Sequence, residues 1–134
     1  MADPLLELQR ALYACLSADA AVTALVAGRV FDRVPAGAPA PYVSFGPMTA
    51  DDDGADCIAG LSVSVQIDAW SQSVGYGEAK EIAGAVRKAI ASADLDLATH
   101  ALADITHRST RILRDPDGLT SHAVLTFEAS VEAV

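Results

Sequence analysis

Apolar and polar positions alternate along residues 61–70, Leu-Ser-Val-Ser-Val-Gln-Ile-Asp-Ala-Trp, which predicts a half-buried β-strand. A few small and polar residues follow. Ala79, Ile82, Ala83, Val86 and Ile90 then recur at helical spacing within residues 78–90. A strand leading into an amphipathic helix, with Val63, Val65 and Ile67 offered against Ile82, Val86 and Ile90, sets the expected centre of the fold.

Leu5, Leu8, Leu12, Cys15 and Leu16 predict an opening helix capped near Asp3, with Pro4 in its first turn. Residues 17–19 offer a second cap for a short helix with Val22, Leu25 and Val26 on one face, ended by Gly28. Residues 30–34 predict a short strand. Three prolines stiffen residues 35–41, and residues 42–48 return to strand with Val43 and Phe45 on one face. After the central helix comes a break around residues 92–97, then a strand over residues 105–114. Asp115-Pro-Asp-Gly118 is a turn signal. Beyond it Ala123, Leu125, Phe127, Ala129 and Val131 alternate with Thr126, Glu128, Ser130 and Glu132, so residues 105–131 are expected to form an antiparallel hairpin.

The predicted fold class is α+β: an antiparallel or mixed sheet of four to five strands with helices on one face. Its other face is polar, with Ser62, Ser64, Gln66, Asp68, Thr126, Glu128 and Ser130, and is either solvated or used by a partner. With 134 residues, 51% of them hydrophobic, the chain is expected to be a single domain, residues 1–134, that builds its core without disulfides or metal. No run reaches the ~20 apolar residues of a membrane span. The acidic start lacks the basic region of a signal peptide, so no membrane partner and no secretion are expected. Cys15 reads as a small core residue. A bridge to Cys57 is disfavoured, because nothing else suggests an oxidising compartment.

The motifs of known chemistry are absent from the sequence or incomplete in it. Asp51, Asp53 and Gly54 fit part of a calcium loop, but Thr49 stands in its first ligand slot and Gly60 in its glutamate slot, so the motif fails at both ends. His100, His107 and His122 are dispersed. His107 and His122 are expected to be near neighbours across the hairpin, without a third ligand. There is no nucleophile elbow and no phosphate loop, and Gly75-Tyr-Gly77 stands alone. No catalytic, cofactor-binding or metal-binding residue is assigned, and no enzymatic role is expected.

Charge points to contacts instead. The net charge is −9, which disfavours attraction to nucleic acid, since phosphate affinity comes from Lys and Arg. Asp51, Asp52, Asp53 and Asp56 crowd four carboxylates into residues 51–56, expected to be an exposed loop. Arg108 and Arg114 are expected on one face of their strand and Arg111 on the other. Two readings of these arginines stay open. They pair with Glu128 and Glu132 on the adjacent strand, or they contact an acidic surface of a neighbouring subunit such as residues 51–56. These seven residues form the candidate subunit or partner interface.

The sequence resembles the tail-terminator, or tail-completion, family of long-tailed phages and related gene transfer agents. The resemblance covers nearly the whole chain. It is carried by the helical opening over residues 8–26, Gly28-Arg-Val-Phe31, Pro41-Tyr-Val-Ser-Phe45, the strand over residues 63–70 with the helix over 77–90, Arg114-Asp-Pro-Asp-Gly-Leu119 and the alternating last strand. It implies a structural role. Copies of the chain would form a ring, expected to be a hexamer, that caps the growing tail tube, stops its polymerisation and offers the head-joining surface. The implied partners are the chain itself, the major tail-tube protein and a head-completion or connector protein, with DNA passing through without specific binding. Assembly in the bacterial cytoplasm and a place at the tail end nearest the head are implied too. The alternative is a small α+β adaptor, or another head–tail connector without a capping role.

Overall fold

The computed structural model of the chain describes residues 3–52 and 60–133. The order is α1 (Pro4–Ala18), α2 (Ala20–Val26), β1 (Val30–Phe31), β2 (Tyr42–Asp52), β3 (Gly60–Ser71), α3 (Gly77–Ser92), β4 (His100–Arg114) and β5 (Ser121–Ala133).

Short polar side chains set the helix starts. Asp3 accepts from Leu5 N–H at 2.8 Å, and Asp19 accepts from Val22 N–H at 3.0 Å, each taking a donor that the first turn leaves unpaired. The second helix ends as the sequence suggests, but one residue early. Ala27 takes the left-handed cap at φ 53°, and Gly28 follows at φ 75°.

The five strands form one mixed sheet in the order β1-β2-β3-β5-β4. β1 runs parallel to β2, and every other pairing is antiparallel. β3 and β5 lie at the centre, and α3 connects β3 to the edge strand β4. Three predicted bounds move by three residues or more. β1 stops at Phe31 instead of residue 34, β2 runs to Asp52 instead of residue 48, and β4 begins at His100 instead of residue 105.

Val63, Val65 and Ile67 of β3 share one buried cluster with Ile82, Val86 and Ile90 of α3, Leu8, Leu12 and Leu16 of α1, and Leu125 and Phe127 of β5. The expected match of strand and helix faces is present. All the alternating apolar residues expected in the last strand are buried. Burial of this kind stabilises by roughly 25 cal/mol per Å² of apolar surface, which makes this face of the sheet the source of the fold's stability. Cys15 is a free, half-buried thiol whose Sγ lies 3.6 Å from Ala89 O; Cys57 lies outside the described residues.

Candidate functional site

Among the described residues the helices lie on one face of the sheet, and the other face is left open. Register places Ser62, Ser64, Gln66, Asp68 and Trp70 of β3 beside Ser130, Glu128, Thr126, Val124 and His122 of β5. Tyr42, Ser44, Thr49 and Asp51 continue this face on β2. The polar face expected from alternation is therefore present, but one end of it is aromatic.

At that end the His122 ring stacks on Trp70, with centroids 3.7 Å apart and planes 13° apart. Tyr42 lies 6.4 Å beyond Trp70, and Phe31 lies 5.9 Å beyond Tyr42. Trp70 Nε1–H donates to Ser44 Oγ at 2.9 Å. Asp68 is 4% exposed despite facing the open side. His122 Nε2–H donates to its Oδ1 at 2.7 Å, and Gln66 Nε2–H donates at 3.0 Å. A buried carboxylate needs such partners, because leaving it unpaired costs several kcal/mol, on the order of 3–5. Asp115 Oδ1 lies 3.9 Å from the other His122 nitrogen. This cross-strand run of rings makes an aromatic patch on an otherwise hydroxyl-rich face.

The five candidate interface residues that are described, Asp51, Asp52, Arg108, Arg111 and Arg114, are not brought together as one cluster. Asp51 and Asp52 are not loop residues. They end β2, opposite Ser62 and Leu61, and their side chains are exposed. The backbone ladder at this end of the sheet outweighs their weak strand propensity. Asp53 and Asp56 lie outside the described residues, as does Gly54 of the partial calcium motif. Among the described residues no group of three or more His, Cys, Asp or Glu is placed to hold a metal ion.

The arginines sort differently from strict alternation. β4 carries irregularities between Leu102 and Asp104 and between His107 and Ser109. The second adds a residue at Arg108, and a one-residue insertion moves a side chain to the opposite face. Arg108 accordingly lies with Arg111 on the open face, its Nε 3.8 Å from Glu128 Oε2, and Arg114 lies on the helix side. Arg114 there stacks its guanidinium 4.5 Å from the centre of the Tyr76 ring. The pairing with Glu128 is thus present and half-exposed, worth about 0–1 kcal/mol. Glu132 faces Ala101 and Gly60, not an arginine.

His107 and His122 are not neighbours. His107 pairs with Phe127, and His122 pairs with Leu113. His122 lies only four residues past the turn, whereas His107 lies twice as far before it. Burial and the nearby Arg87 charge lower the His107 pKa.

A second polar cluster was missed from sequence. Glu7 of α1 is 4% exposed, and its carboxylate accepts from Thr99 N–H at 2.9 Å and from the Thr99 hydroxyl; His100 Nδ1 lies 3.1 Å away. The Thr99 hydroxyl, aided by the Thr99 N–H and His100 and opposed by burial, brings the Glu7 pKa down to about 2. The cluster ties the start of β4 to the first helix. Its one sequence signal is an acid beside Leu8 on the apolar side of a helix.

The described surface thus offers flat contact areas, edges and fixed charges. The model of the family described as Tail completion protein gp17 matches residues 10–132. The chain is similar to a chain in the virion of a native gene transfer agent particle, with 35% identity over 94% of this chain and 95% of the other, at a TM-score of 0.88. It is also similar to gp17 of bacteriophage SPP1, with 18% identity, 97% and 92% coverage and a TM-score of 0.62, a likeness of fold alone. No curated protein matches. The chain belongs to the tail completion protein family and is a structural virion protein of the phage and gene-transfer-agent type.

Proposed function

We propose that the chain, acting as one unit over residues 1–134, forms a ring that caps the tail tube, ends its polymerisation and supplies the surface that joins the head. The supporting observation is the full-length likeness to a chain of the gene transfer agent virion, at a TM-score of 0.88, in a subunit with two unlike faces. One face is built from helices, the other from open sheet. A stacked tube presents the same end after each added ring, so growth stops only when a cap matches that end on one side and differs on the other. Six copies are proposed, and the partners are the tail-tube protein and a head-completion or connector protein. Assembly takes place in the bacterial cytoplasm, and the ring sits at the head-proximal tail end.

Arg108 and Arg111 on the open face, with Asp51, Asp52, Asp53 and Asp56, are proposed as polar contacts between copies or with a partner. Arg114 is proposed to act on the helix side. DNA passes through the ring without being held, because an acidic ring releases few counterions from phosphate.

Electron microscopy of particles made without the chain tests the role. Overlong tubes unattached to filled heads are expected. Tails of normal length joined to heads would contradict capping and favour the adaptor reading.

A further inference from the structure

Val74 and Leu119, 100% and 72% exposed, are the most exposed large apolar side chains among the described residues. Both stand at one end of the sheet and flank a cleft of about 310 Å³ that also includes Arg114. Their loops are pinned. Ser121 Oγ–H donates to Gly75 O at 3.1 Å, and Ser71 Oγ–H donates to Glu78 Oε1 at 2.7 Å. Asp117 Oδ1 accepts from Leu119 N–H and Thr120 N–H, both at 2.9 Å. Single exposed aliphatics are ordinary, but two held outward on fixed turns around one cleft form a pre-ordered contact that loses little entropy on docking.

The same chain carries a counterpart. Between α3 and β4 runs a groove with two recesses of about 320 and 220 Å³ that share Arg87. Ile90, Ile105, Ala83 and Ile112 line it, and Gly84 leaves open space on its helix wall. Lys80 and Arg87 also line it. The turn bearing Leu119 carries the opposite charge, Asp115 and Asp117, and the Thr120 hydroxyl lowers the Asp117 pKa. An acidic turn bearing exposed apolar side chains and an apolar groove bearing cations thus occur in two different regions of one chain.

We propose that Val74 and Leu119 of one copy seat in the α3–β4 groove of the next, with Asp117 facing Lys80 and Arg87. The proposal rests on the ring reading above and supplies its subunit contact. The contact is head-to-tail, so each copy uses one knob end and one groove, and repetition closes a ring when the rotation allows. Joining by continuation of the sheet is the less favoured geometry. β4 has two irregularities along its length, and Pro47 interrupts β2 within its own irregularity, devices that blunt sheet edges.

Native mass spectrometry of the full chain tests this with two variants that leave the core untouched. Val74→Ser with Leu119→Ser removes the knobs, and Gly84→Trp fills the groove. Circular dichroism and thermal midpoint confirm that each is folded. The wild-type chain is expected to form oligomers. Each variant alone should associate on the order of tenfold more weakly or worse, given 1.4 kcal/mol per decade. An equimolar mixture should give dimers containing one of each and nothing larger, since only one intact contact is left. Variants that assemble like the wild-type chain, a mixture that restores rings, or a wild-type chain monomeric at every concentration would overturn the contact. So would knobless chains that oligomerise normally but fail to bind tail tubes. Capping is judged from tail length, so this contact can fail while that role stands.

Discussion

The His122 imidazole lies flat on the Trp70 indole, 3.7 Å between centroids, while its Nε2–H reaches the buried Asp68 carboxylate at 2.7 Å. One side chain thus joins the aromatic and the charged parts of the open face. His122→Ala is expected to destabilise the fold by about 1–3 kcal/mol, because Asp68 keeps only Gln66 among these partners. A urea-unfolding double-mutant cycle with Asp68→Asn should show coupling of at least about 0.5 kcal/mol. Additive effects would mean that the pair does not act together.

Glu7 makes stability depend on acid. Its pKa is lowered from 4.5 to about 2. The folded state therefore binds this proton more weakly than the unfolded chain. The contribution is fully present above about 4.5 and is lost as pH falls through about 2. In urea midpoints measured across that window, the wild-type chain should lose stability more steeply than Glu7→Gln. Parallel curves would contradict the assignment.

Gly46 sits where a side chain would collide with the Asp68 cluster. A Cβ there would lie 2.7 Å from Asp68 Oδ2 and 2.9 Å from Gln66 Nε2. Gln66 can swing aside, but Asp68 is tied to His122. Gly46→Ala is expected to cost about 1–3 kcal/mol. Gly84→Ala meets nothing within 4 Å and lies inside a helix, so it should gain up to about 1 kcal/mol. Chemical denaturation of both variants checks the contrast.

The assembled chain is expected to hold duplex DNA weakly. Its formal charge is −9, and six of its nine Lys and Arg residues lie on α3 and β4, beside the groove or on the strand next to it. Each phosphate contact steepens the salt dependence of binding. Electrophoretic titration at low and physiological salt should show no tight complex. A tight, salt-sensitive complex would refute the non-binding passage.

Periodicity carried most of the fold. Leu8, Leu12 and Leu16 on one helix, and Val63, Val65 and Ile67 against Ile82, Val86 and Ile90, are buried as their spacing requires. What alternation missed was backbone irregularity. The extra residue at Arg108 has no side-chain signature, yet it reverses the face of that arginine relative to Arg114. The aromatic end of the open face was partly legible, since Trp70 shares parity with Gln66 and Asp68. Its stacking on His122 depends on strand register across β3 and β5, which local pattern does not encode. Glu7 and Thr99 meet across 92 positions of sequence, beyond any local signal. Asp51 and Asp52 misled by composition, because acidity suggested a loop where the sheet continues.

Stopping the growth of the tail tube is the role proposed for this chain. The direct measurement is the length distribution of tubes assembled from the purified tail-tube protein, with the chain added during growth and lengths taken by electron microscopy. Addition should arrest elongation at once and leave one ring of this chain at a single end of each tube. Tubes that keep lengthening at the control rate with the chain in excess would mean that the chain does not cap them.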